Sequence, residues 1–316
     1  MFEVSEEATP WGDREWRERA LAWACAHAGG TVLGIDEPRL RAWSITMRLR
    51  TSRGPVWFKA NPPRSRFEAA LTRALSEWAP GQVLTPLAID AARGWSLLPD
   101  GGPVVGATLD LDGWAELLRQ YAMLQRASAA HVPEMLAIGV PDLRADRLLA
   151  EFDELVAAAR IDLPGSARPK VIDWCAQLAA SPVPATLDHS DLHEGQIFTG
   201  SDGRFVFFDW GDASIGHPFS SLLVALRVVV ARFGADCDLD RLREAYLEQW
   251  TAEHSPAELR ASVDVALRLG AIARAQSWWR LFPEADQARI GNTPFVGKWL
   301  LRLFEPDLIH SSGALG

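Results

Sequence analysis

Two short acidic segments, held apart by a turn and a short strand, constrain this chain more than any other feature of its sequence. The first is His189-Ser190-Asp191-Leu192-His193-Glu194-Gly195-Gln196, and the second is Phe208-Asp209-Trp210-Gly211. Between them lie the turn-forming residues Thr199-Gly200-Ser201-Asp202-Gly203 and the apolar stretch Arg204-Phe205-Val206-Phe207-Phe208. Gly, Asp and Ser favour tight turns, and aromatic and β-branched residues favour strands. The pattern predicts a loop followed by a β-hairpin that fixes the separation of the two sets of carboxylates.

These residues resemble the signature of the aminoglycoside phosphotransferase and choline kinase-like family, a small-molecule branch of the protein-kinase-like fold. The family pattern is His-x-Asp-x-x-x-x-Asn, followed after a short hairpin by an Asp that opens a turn. In this chain His189, Asp191 and Gln196 match the first part, with glutamine in place of asparagine, and Asp209 matches the second. The resemblance implies ATP-dependent transfer of the γ-phosphoryl group to a hydroxyl of a small molecule.

The resemblance also implies a role for each acidic or amide residue. Asp191 would be the catalytic base that accepts or orients the acceptor hydroxyl, as the catalytic-loop Asp does in protein kinases. Asp209 would be the principal Mg²⁺ ligand and Gln196 the second, since Mg²⁺ requires hard oxygen ligands in near-octahedral geometry. Glutamine is one methylene longer than asparagine, so either the loop adjusts or a water molecule intervenes.

Lys59 is the candidate phosphate-binding cation. It stands in the apolar strand Val56-Trp57-Phe58-Lys59-Ala60, in a chain with only two other lysines, Lys170 and Lys298. A lysine kept in such a strand suggests a specific point charge, and it resembles the kinase strand lysine that reaches the α- and β-phosphates. Glu68, nine positions later on a predicted helix, is its expected partner, and Glu77 is the alternative.

The nucleotide-binding segments show few sequence signals of their own. No G-x-G-x-x-G and no G-x-x-x-x-G-K-[ST] motif occurs, which excludes Rossmann and P-loop sites. The segment 38–44 takes the place of the phosphate-covering loop, and its Ser44 and Arg41 are candidate phosphate contacts. The layout predicts that adenine hydrogen-bonds to the linker backbone, which places Leu98 and Asp100 beside the nucleotide.

The order of the predicted elements indicates an α+β fold with two lobes. Strand patterns fill the first part of the chain, Pro99-Asp100-Gly101-Gly102-Pro103 has the composition of a linker, and helical periodicity dominates the remainder of the chain. We therefore expect a small antiparallel-sheet lobe over 1–98 that binds nucleotide, a hinge over 99–103, and a larger, mostly helical lobe over 104–316. The fold expected is similar to that of the protein kinases.

Composition narrows the partners and the compartment. The formal net charge of −9 argues against a nucleic-acid-binding protein, which usually has a basic face. The longest apolar stretch, 222–231, is too short for a membrane span of about 20 residues, and the sequence begins without a signal-peptide pattern. Three widely separated cysteines indicate a reducing compartment, so we expect a cytoplasmic protein with neither nucleic-acid nor membrane partners.

The acceptor is expected to be an aminoglycoside, a sugar or an amino alcohol, and the resemblance favours the first. Aromatic and acidic side chains suit a cationic or sugar-like ligand. Such groups occur late in the chain, and the candidates are Trp278, Trp279, Trp299, Glu284 and Asp286. Core packing is the alternative role for each tryptophan.

Two other functions stay open at the level of sequence. The glutamine at 196, together with Gly216-His217-Pro218 where the family often has Gly-Asp-Pro, is compatible with a nucleotide-binding pseudokinase that has a regulatory role. The pattern His189-x-Asp191-x-His193 is compatible with a metal-dependent hydrolase, but such a site needs further His or Cys ligands, and His217 is the only later candidate nearby.

Overall fold

The computed structural model describes residues 10–41, 43–200, 202–281, 289–290 and 293–310. These residues divide into two compact units, to which we refer as the sheet unit and the helical unit. The sheet unit comprises the described residues of Met1–Val104 and Phe198–Gly211, and the helical unit those of Val105–Ile197 and Asp212–Gly316. The segment 198–211 thus belongs to the sheet unit although helical-unit residues precede and follow it.

Strands dominate the first part of the described chain and recur around the two acidic segments. In chain order they are β1 (Val32–Ile35), β2 (Arg39–Arg41), β3 (Ser44–Thr51), β4 (Gly54–Ala60), β5 (Ala88–Asp90), β6 (Trp95–Pro99), β7 (Thr186–Asp188), β8 (Ile197–Thr199), β9 (Phe205–Phe207), β10 (Ser214–Gly216), β11 (Arg289–Ile290) and β12 (Thr293–Pro294). An antiparallel sheet has the strand order β1-β3-β4-β6-β5, with β2 also paired to β3. Strands β8 and β9 form a hairpin, and β7 pairs with β10.

Helices make up most of the helical unit. Among the described residues, the sheet unit has the α-helices α1 (Arg14–His27) and α2 (Phe67–Trp78). The helical unit has α3 (Leu111–Ser128), α4 (Val132–Ile138), α5 (Ala145–Ala159), α6 (Ala167–Ala179), α7 (Leu222–Phe233), α8 (Leu239–Leu247), α9 (Pro256–Leu281) and α10 (Phe295–Arg302). In the helical unit α9 packs against α5, α6, α7 and α10, and α3 packs against α8. None of the described helices combines the length and the apolar character that a bilayer crossing requires.

The antiparallel sheet packs on helix α1 with one face and carries the Lys59 side chain on the other. One face packs on α1, where Trp16 and Trp23 each meet the Trp95 ring edge-on with centroids 5.7 Å apart, and Phe58 is fully buried. Because neighbouring residues of a strand point to opposite faces, burial of Phe58 directs the side chain of Lys59 away from α1. The core packing therefore fixes where the candidate phosphate-binding lysine points.

The predicted sequence of strands followed by helices is confirmed, with local differences. The strand expected over Leu84–Ile89 is reduced to β5, because Pro86 lacks the N–H that a ladder needs. The expected loop over 38–44 contains β2, which pairs with β3 at its end. Helices α4 and α10 and strand β10 were not predicted from the sequence.

His217 lies where the family that the sequence resembles often has an aspartate before a proline, and here it serves as a helix cap. Its Nδ1 accepts a hydrogen bond from Phe219 N at 3.3 Å, at the start of the short helix Pro218–Ser221. Its Nε2 therefore carries the proton and donates to Ser181 Oγ at 3.0 Å. Burial lowers the pKa of His217 from 6.5 to about 3, so the ring is neutral in the folded protein.

This buried histidine predicts a pH-dependent loss of stability. The folded-state pKa lies below the unfolded value of 6.5, so its stabilising contribution is complete above pH 6.5 and falls as the pH decreases. Between pH 6.5 and 5.0 the unfolding free energy should fall by about 2 kcal/mol from this group. Urea denaturation of wild type and His217→Asn at both pH values measures the slope, which should be shallower in the variant. Ser181→Ala, which removes a partner but keeps the titrating ring, should retain the wild-type slope; equal slopes in all three proteins would contradict the assignment.

Candidate active site

A lysine ammonium held between two carboxylates forms the centre of the sheet unit's site. Lys59 Nζ on β4 lies 2.7 Å from Glu68 Oε1 and 2.5 Å from Asp209 Oδ1. The Lys59 and Glu68 side chains are almost fully buried, and that of Asp209 is one-third exposed. The pairing of Lys59 with Glu68 that the sequence predicts is present, and Asp209, 150 residues from Lys59, joins it.

The electrostatics keep this lysine charged. Burial by itself would lower the pKa of Lys59, but attraction to Asp209 and Glu68, together with their hydrogen bonds, outweighs burial and raises it. For Glu68, burial and the nearby Asp209 charge raise the pKa, while Lys59 and Asn61 act in the opposite sense. One ammonium shared by two carboxylates leaves an excess of negative charge at the solvent-accessible Asp209.

Glu68 is fixed by donors from three parts of the chain. Its Oε1 accepts from Trp210 N at 3.0 Å as well as from Lys59, and its Oε2 accepts from Asn61 Nδ2. A side chain at position 211 would come within about 3.2 Å of Asn61 and Glu68, so only glycine fits there without a shift. This explains in physical terms why Gly211 ends the second acidic segment.

Both acidic segments contain a residue in the left-handed backbone region. Ser190 has φ of 60° and Asp209 has φ of 66°, a conformation that is uncommon for residues other than glycine. Asp209 follows β9, so the turn of the backbone at this residue aims its carboxylate at Lys59 instead of continuing the strand. Asp tolerates this conformation better than most residues.

The candidate nucleotide residues line one cavity of about 360 Å³ within the sheet unit. This volume is in the range of small-ligand sites. The sequence-predicted residues in its wall are Ser44, Lys59, Glu68, Leu98, Asp100 and Asp209. Their part in nucleotide binding stays a prediction. Arg41, the other candidate phosphate contact, is exposed on β2 and does not belong to this lining.

Aromatic residues complete the cavity wall, and the sequence did not identify them as site residues. Trp57 lies two residues before Lys59 on the same face of β4, and its Nε1 donates to Asp100 Oδ1 at 3.2 Å. The Phe198 and Phe208 rings stack with centroids 4.2 Å apart. Gly101 lies so close to Phe198 that an added methyl group would overlap the ring. Trp57 could have been identified from the sequence, because residues two positions apart on a strand share a face and Lys59 was already a candidate.

The first acidic segment lies in the helical unit, where buried hydrogen bonds hold its first residues in place. Asp188, the last residue of β7, accepts hydrogen bonds from Ser221 Oγ at 2.6 Å, Ser190 N at 2.9 Å and Ser190 Oγ at 3.0 Å. Tyr121 Oη accepts from His189 N at 3.0 Å. Burial raises the pKa of Asp188, while its hydrogen bonds act in the opposite sense. These contacts determine the course of the loop before Asp191.

Asp191 is partly accessible and is held from one side. Its Oδ1 lies 2.8 Å from Arg274 Nη2 on α9, and its Oδ2 lies 3.7 Å from His193 Nε2. Gln196 is half-buried at the end of the short turn 194–196, and its backbone N–H donates to His193 O at 2.9 Å. Sequence reasoning missed Arg274, because nothing in its local sequence distinguishes it from other helix arginines.

Other sequence candidates have structural contacts. The Trp278 ring stacks on Phe295 with centroids 4.2 Å apart, and Trp299 is fully buried, so both are core residues. Glu284 and Asp286 lie outside the described residues. His193 Nδ1 accepts from Gly195 N at 2.9 Å, which makes it a cap of the turn. Within the described ranges, no group of three or more His, Cys, Asp or Glu side chains is arranged to hold a metal ion.

Comparison with known proteins identifies the family. The model of the phosphotransferase enzyme family, abbreviated APH, matches residues 42–261. The chain belongs to this family. It is therefore a small-molecule kinase, and the family assignment made from the two acidic segments is confirmed. No curated protein matches the sequence of this phosphotransferase.

Solved structures confirm the fold of this phosphotransferase. Choline kinase LicA from Streptococcus pneumoniae superposes with a TM-score of 0.61 at 13% identity, over 91% of this chain and 97% of that one. Macrolide 2'-phosphotransferase MphH from Brachybacterium faecium gives 0.54 at 19%, over 85% and 99%. An aminoglycoside phosphotransferase from Streptomyces rimosus, solved with ADP and streptomycin, gives 0.51 at 17%, over 79% and 98%. At such identities the likeness establishes the α+β, protein-kinase-like fold that the sequence predicts.

The ammonium network yields a direct prediction for nucleotide binding by this phosphotransferase. Lys59→Met should weaken ATP binding by roughly 10- to 100-fold, or about 1.4 to 2.7 kcal/mol, because the change removes the cation that is predicted to bind the phosphates. Isothermal titration calorimetry with Mg²⁺ and ATP measures the change. Lys170→Met, which removes an exposed lysine on α6, is the matched control and should bind as wild type does. Wild-type affinity in a folded Lys59→Met protein would contradict the assignment.

Proposed function

We propose that this enzyme transfers the γ-phosphoryl group of ATP to a hydroxyl of a small molecule. The observation that carries the proposal is the Lys59 ammonium, fixed between Glu68 and Asp209 in the wall of a cavity of suitable size. A permanent positive charge in that position has a clear use in a phosphotransferase, which must hold a highly charged nucleotide. The family match supports the same reaction class.

The sheet unit would bind the nucleotide. Lys59 donates hydrogen bonds to phosphate oxygens, and Glu68 keeps the lysine extended toward them. Ser44 is buried in the cavity wall at the start of β3, within the segment expected to cover the phosphates. Leu98 and Asp100 line the end of the cavity formed by the linker, where the base is expected to contact the backbone.

The donor chemistry at Asp209 fits a magnesium ion. Its carboxylate is a hard oxygen ligand, it is one-third exposed, and it shares the lysine charge with Glu68, so the site has negative charge to spare. Bound Mg²⁺ would neutralise charge on the β- and γ-phosphates. Asp209 would hold the ion, and Gln196 is proposed as a second ligand, either directly or through a water molecule.

Asp191 would orient the acceptor hydroxyl and take up its proton. Phosphoryl transfer depends on alignment of the nucleophile more than on base strength, because the transition state is loose. The carboxylate is held through one oxygen by Arg274, and its side chain is about one-fifth exposed. Such a group is accessible to a substrate and at the same time restricted in direction.

The acceptor is proposed to be an aminoglycoside, a sugar or an amino alcohol. Proteins of this fold carry names that refer to choline, macrolides and aminoglycosides, so the fold alone does not select among acceptors. The proposed compartment is the cytoplasm, which agrees with three cysteines that are all free thiols.

Substitution of the proposed base tests the reaction. Asp191→Asn should reduce turnover by at least about 10²-fold, the usual contribution of a general base, and leave the ADP dissociation constant within about twofold. ADP release is measured with Mg²⁺ and ATP or GTP over a panel of aminoglycosides, macrolides, sugars and amino alcohols. Asp202→Asn, which removes an exposed carboxylate from the hairpin turn, is the matched control and should keep wild-type turnover. A regulatory pseudokinase would bind nucleotide but show no turnover that depends on Asp191.

Magnesium dependence tests the second carboxylate. Wild type should bind ATP more tightly with Mg²⁺ than with EDTA, by roughly tenfold or more. In Asp209→Asn this difference should largely disappear, because the charged ligand that favours the ion is gone. Calorimetric titrations under both conditions measure the difference. An unchanged Mg²⁺ effect in the variant would exclude Asp209 as the principal ligand.

A further inference from the structure

A single buried arginine in the helical unit holds two carboxylates at once. Arg274 is 4% exposed, and its two terminal nitrogens contact different residues. Nη2 lies 2.8 Å from Asp191 Oδ1, and Nη1 lies 2.5 Å from Asp212 Oδ2. The guanidinium group is planar and rigid. When Asp212 holds Nη1 in place, Nη2 can therefore bind Asp191 from one direction only.

Its surroundings leave Arg274 little freedom. The Nη1 atom also donates to Ser277 Oγ at 3.3 Å, one helical turn further along α9. The guanidinium carbon lies 5.4 Å from the centre of the Trp278 ring. Burial by itself would lower the pKa of Arg274, but the charges of Asp191 and Asp212 outweigh this and raise it, so the group is a permanent cation.

Stability alone gives a weak reason for such an arrangement. A buried ion pair recovers its desolvation cost only with excellent geometry, and apolar side chains of similar volume often stabilise a protein as well or better. Within the described residues the Nε atom of Arg274 is buried without a hydrogen-bond partner, which adds to the cost. Unlike an apolar side chain, the arginine gives Asp191 a defined orientation.

The second carboxylate that Arg274 binds follows the other acidic segment directly in the sequence. Asp212 directly follows Gly211, three positions after Asp209. From the same helix, Arg280 Nη1 donates to Ala213 O at 3.1 Å, which anchors the chain just beyond Asp212. Helix α9 therefore holds both the loop that carries Asp191 and the segment that starts at Asp212.

We propose that Arg274 is a positioning residue for phosphoryl transfer, with Asp212 as its second anchor. It binds Oδ1 of Asp191 and thereby directs Oδ2 toward the acceptor hydroxyl. This inference rests on the proposed function, in which Asp191 orients the acceptor. A positioning role affects turnover strongly, since a misplacement of about 1 Å can cost roughly 10²-fold in rate.

The test compares variants of the anchor with the intact enzyme. Arg274→Ala should lower kcat by about 10²-fold and leave the KM for ATP and the ADP dissociation constant within about twofold. Arg274→Lys keeps the charge but loses the two-pronged geometry of the guanidinium group. Its kcat should lie between that of the wild type and that of Arg274→Ala. Asp212→Asn should lower kcat by about tenfold, because Arg274 retains Asp191 but loses its second anchor. Guanidinium ion at non-denaturing concentration should restore part of the kcat of Arg274→Ala and none of that of Asp191→Asn.

The controls separate this role from a structural one. Turnover is measured as ADP release from Mg²⁺ and ATP with the best acceptor of the panel, and with water as acceptor. Arg260→Gln removes an arginine of the same helix that pairs with Glu244 at the surface, and it should keep wild-type kcat. Folding is checked by circular dichroism and by ADP binding. If Arg274→Ala does not fold, Arg274→Lys and Asp212→Asn decide.

Three results would overturn the inference. The first is wild-type kcat in folded Arg274→Ala, or in both Arg274→Lys and Asp212→Asn. The second is a parallel loss of ADP affinity and kcat, which would indicate a structural role. The third is failure of guanidinium to restore any kcat to folded Arg274→Ala. If Asp191→Asn retains turnover, the proposed function itself fails; if only the Arg274 and Asp212 variants stay active, the positioning role alone is wrong.

Discussion

The ammonium of Lys59 is the interaction on which the described sheet unit depends. It brings together a strand, a helix and a residue 150 positions away, and each carboxylate it binds has lost much of its hydration. Removing Lys59 would leave two carboxylates uncompensated in a poorly solvated place, which is far more costly than never having placed them there, whereas removing one carboxylate would leave Lys59 with a single anionic partner. The positions of Trp210 and Gly211, which pack on Glu68, follow from this contact.

The helical unit also contains buried or partly buried carboxylates, but different groups stabilise them. Here the carboxylate of Asp188 is buried under the loop and satisfied by hydroxyl and backbone donors, whereas Asp191 is paired with a buried arginine. The two acids are only three residues apart and have opposite environments. Neutral donors around Asp188 shape the loop, and a charged partner directs Asp191. One short segment therefore carries both a buried structural carboxylate, Asp188, and the proposed catalytic carboxylate, Asp191.

Much of this could be predicted from the sequence, because the decisive signals are local. The spacing between Lys59 and Glu68, the aromatic strand before Asp209 and the glycine after Trp210 all lie within short windows, where strand alternation and helix periodicity apply. The family pattern then extended these windows to the fold. The pattern was also sufficient to select Ser44, Leu98 and Asp100, which the structure brings into one cavity wall with Lys59.

The rest depends on tertiary contacts that leave no local trace. Arg274 lies on a long helix, most of which is buried, and its sequence neighbourhood is that of any core helix. Asp188 ends a short buried strand and has no motif of its own in the sequence. Of the three tryptophans considered for a substrate cleft, Trp278 and Trp299 are core residues, and Trp279 is partly buried. His217 shows the limit of motif comparison, since its ring nitrogen supplies the cap that a carboxylate would supply, at the expense of sensitivity to acid.

The discontinuity of the sheet unit has a consequence for biosynthesis. Strands β1 to β6 are translated first, but the segment that carries Phe207 and Asp209 comes after almost a hundred residues of the helical unit. Until that segment leaves the ribosome, Lys59 has one anionic partner instead of two, and Val83 lacks the Phe207 backbone beside it. A nascent chain of this enzyme therefore cannot complete its amino-terminal unit vectorially, and a fragment ending at Val104 would lack both strands of the β8–β9 hairpin and the Asp209 partner of Lys59.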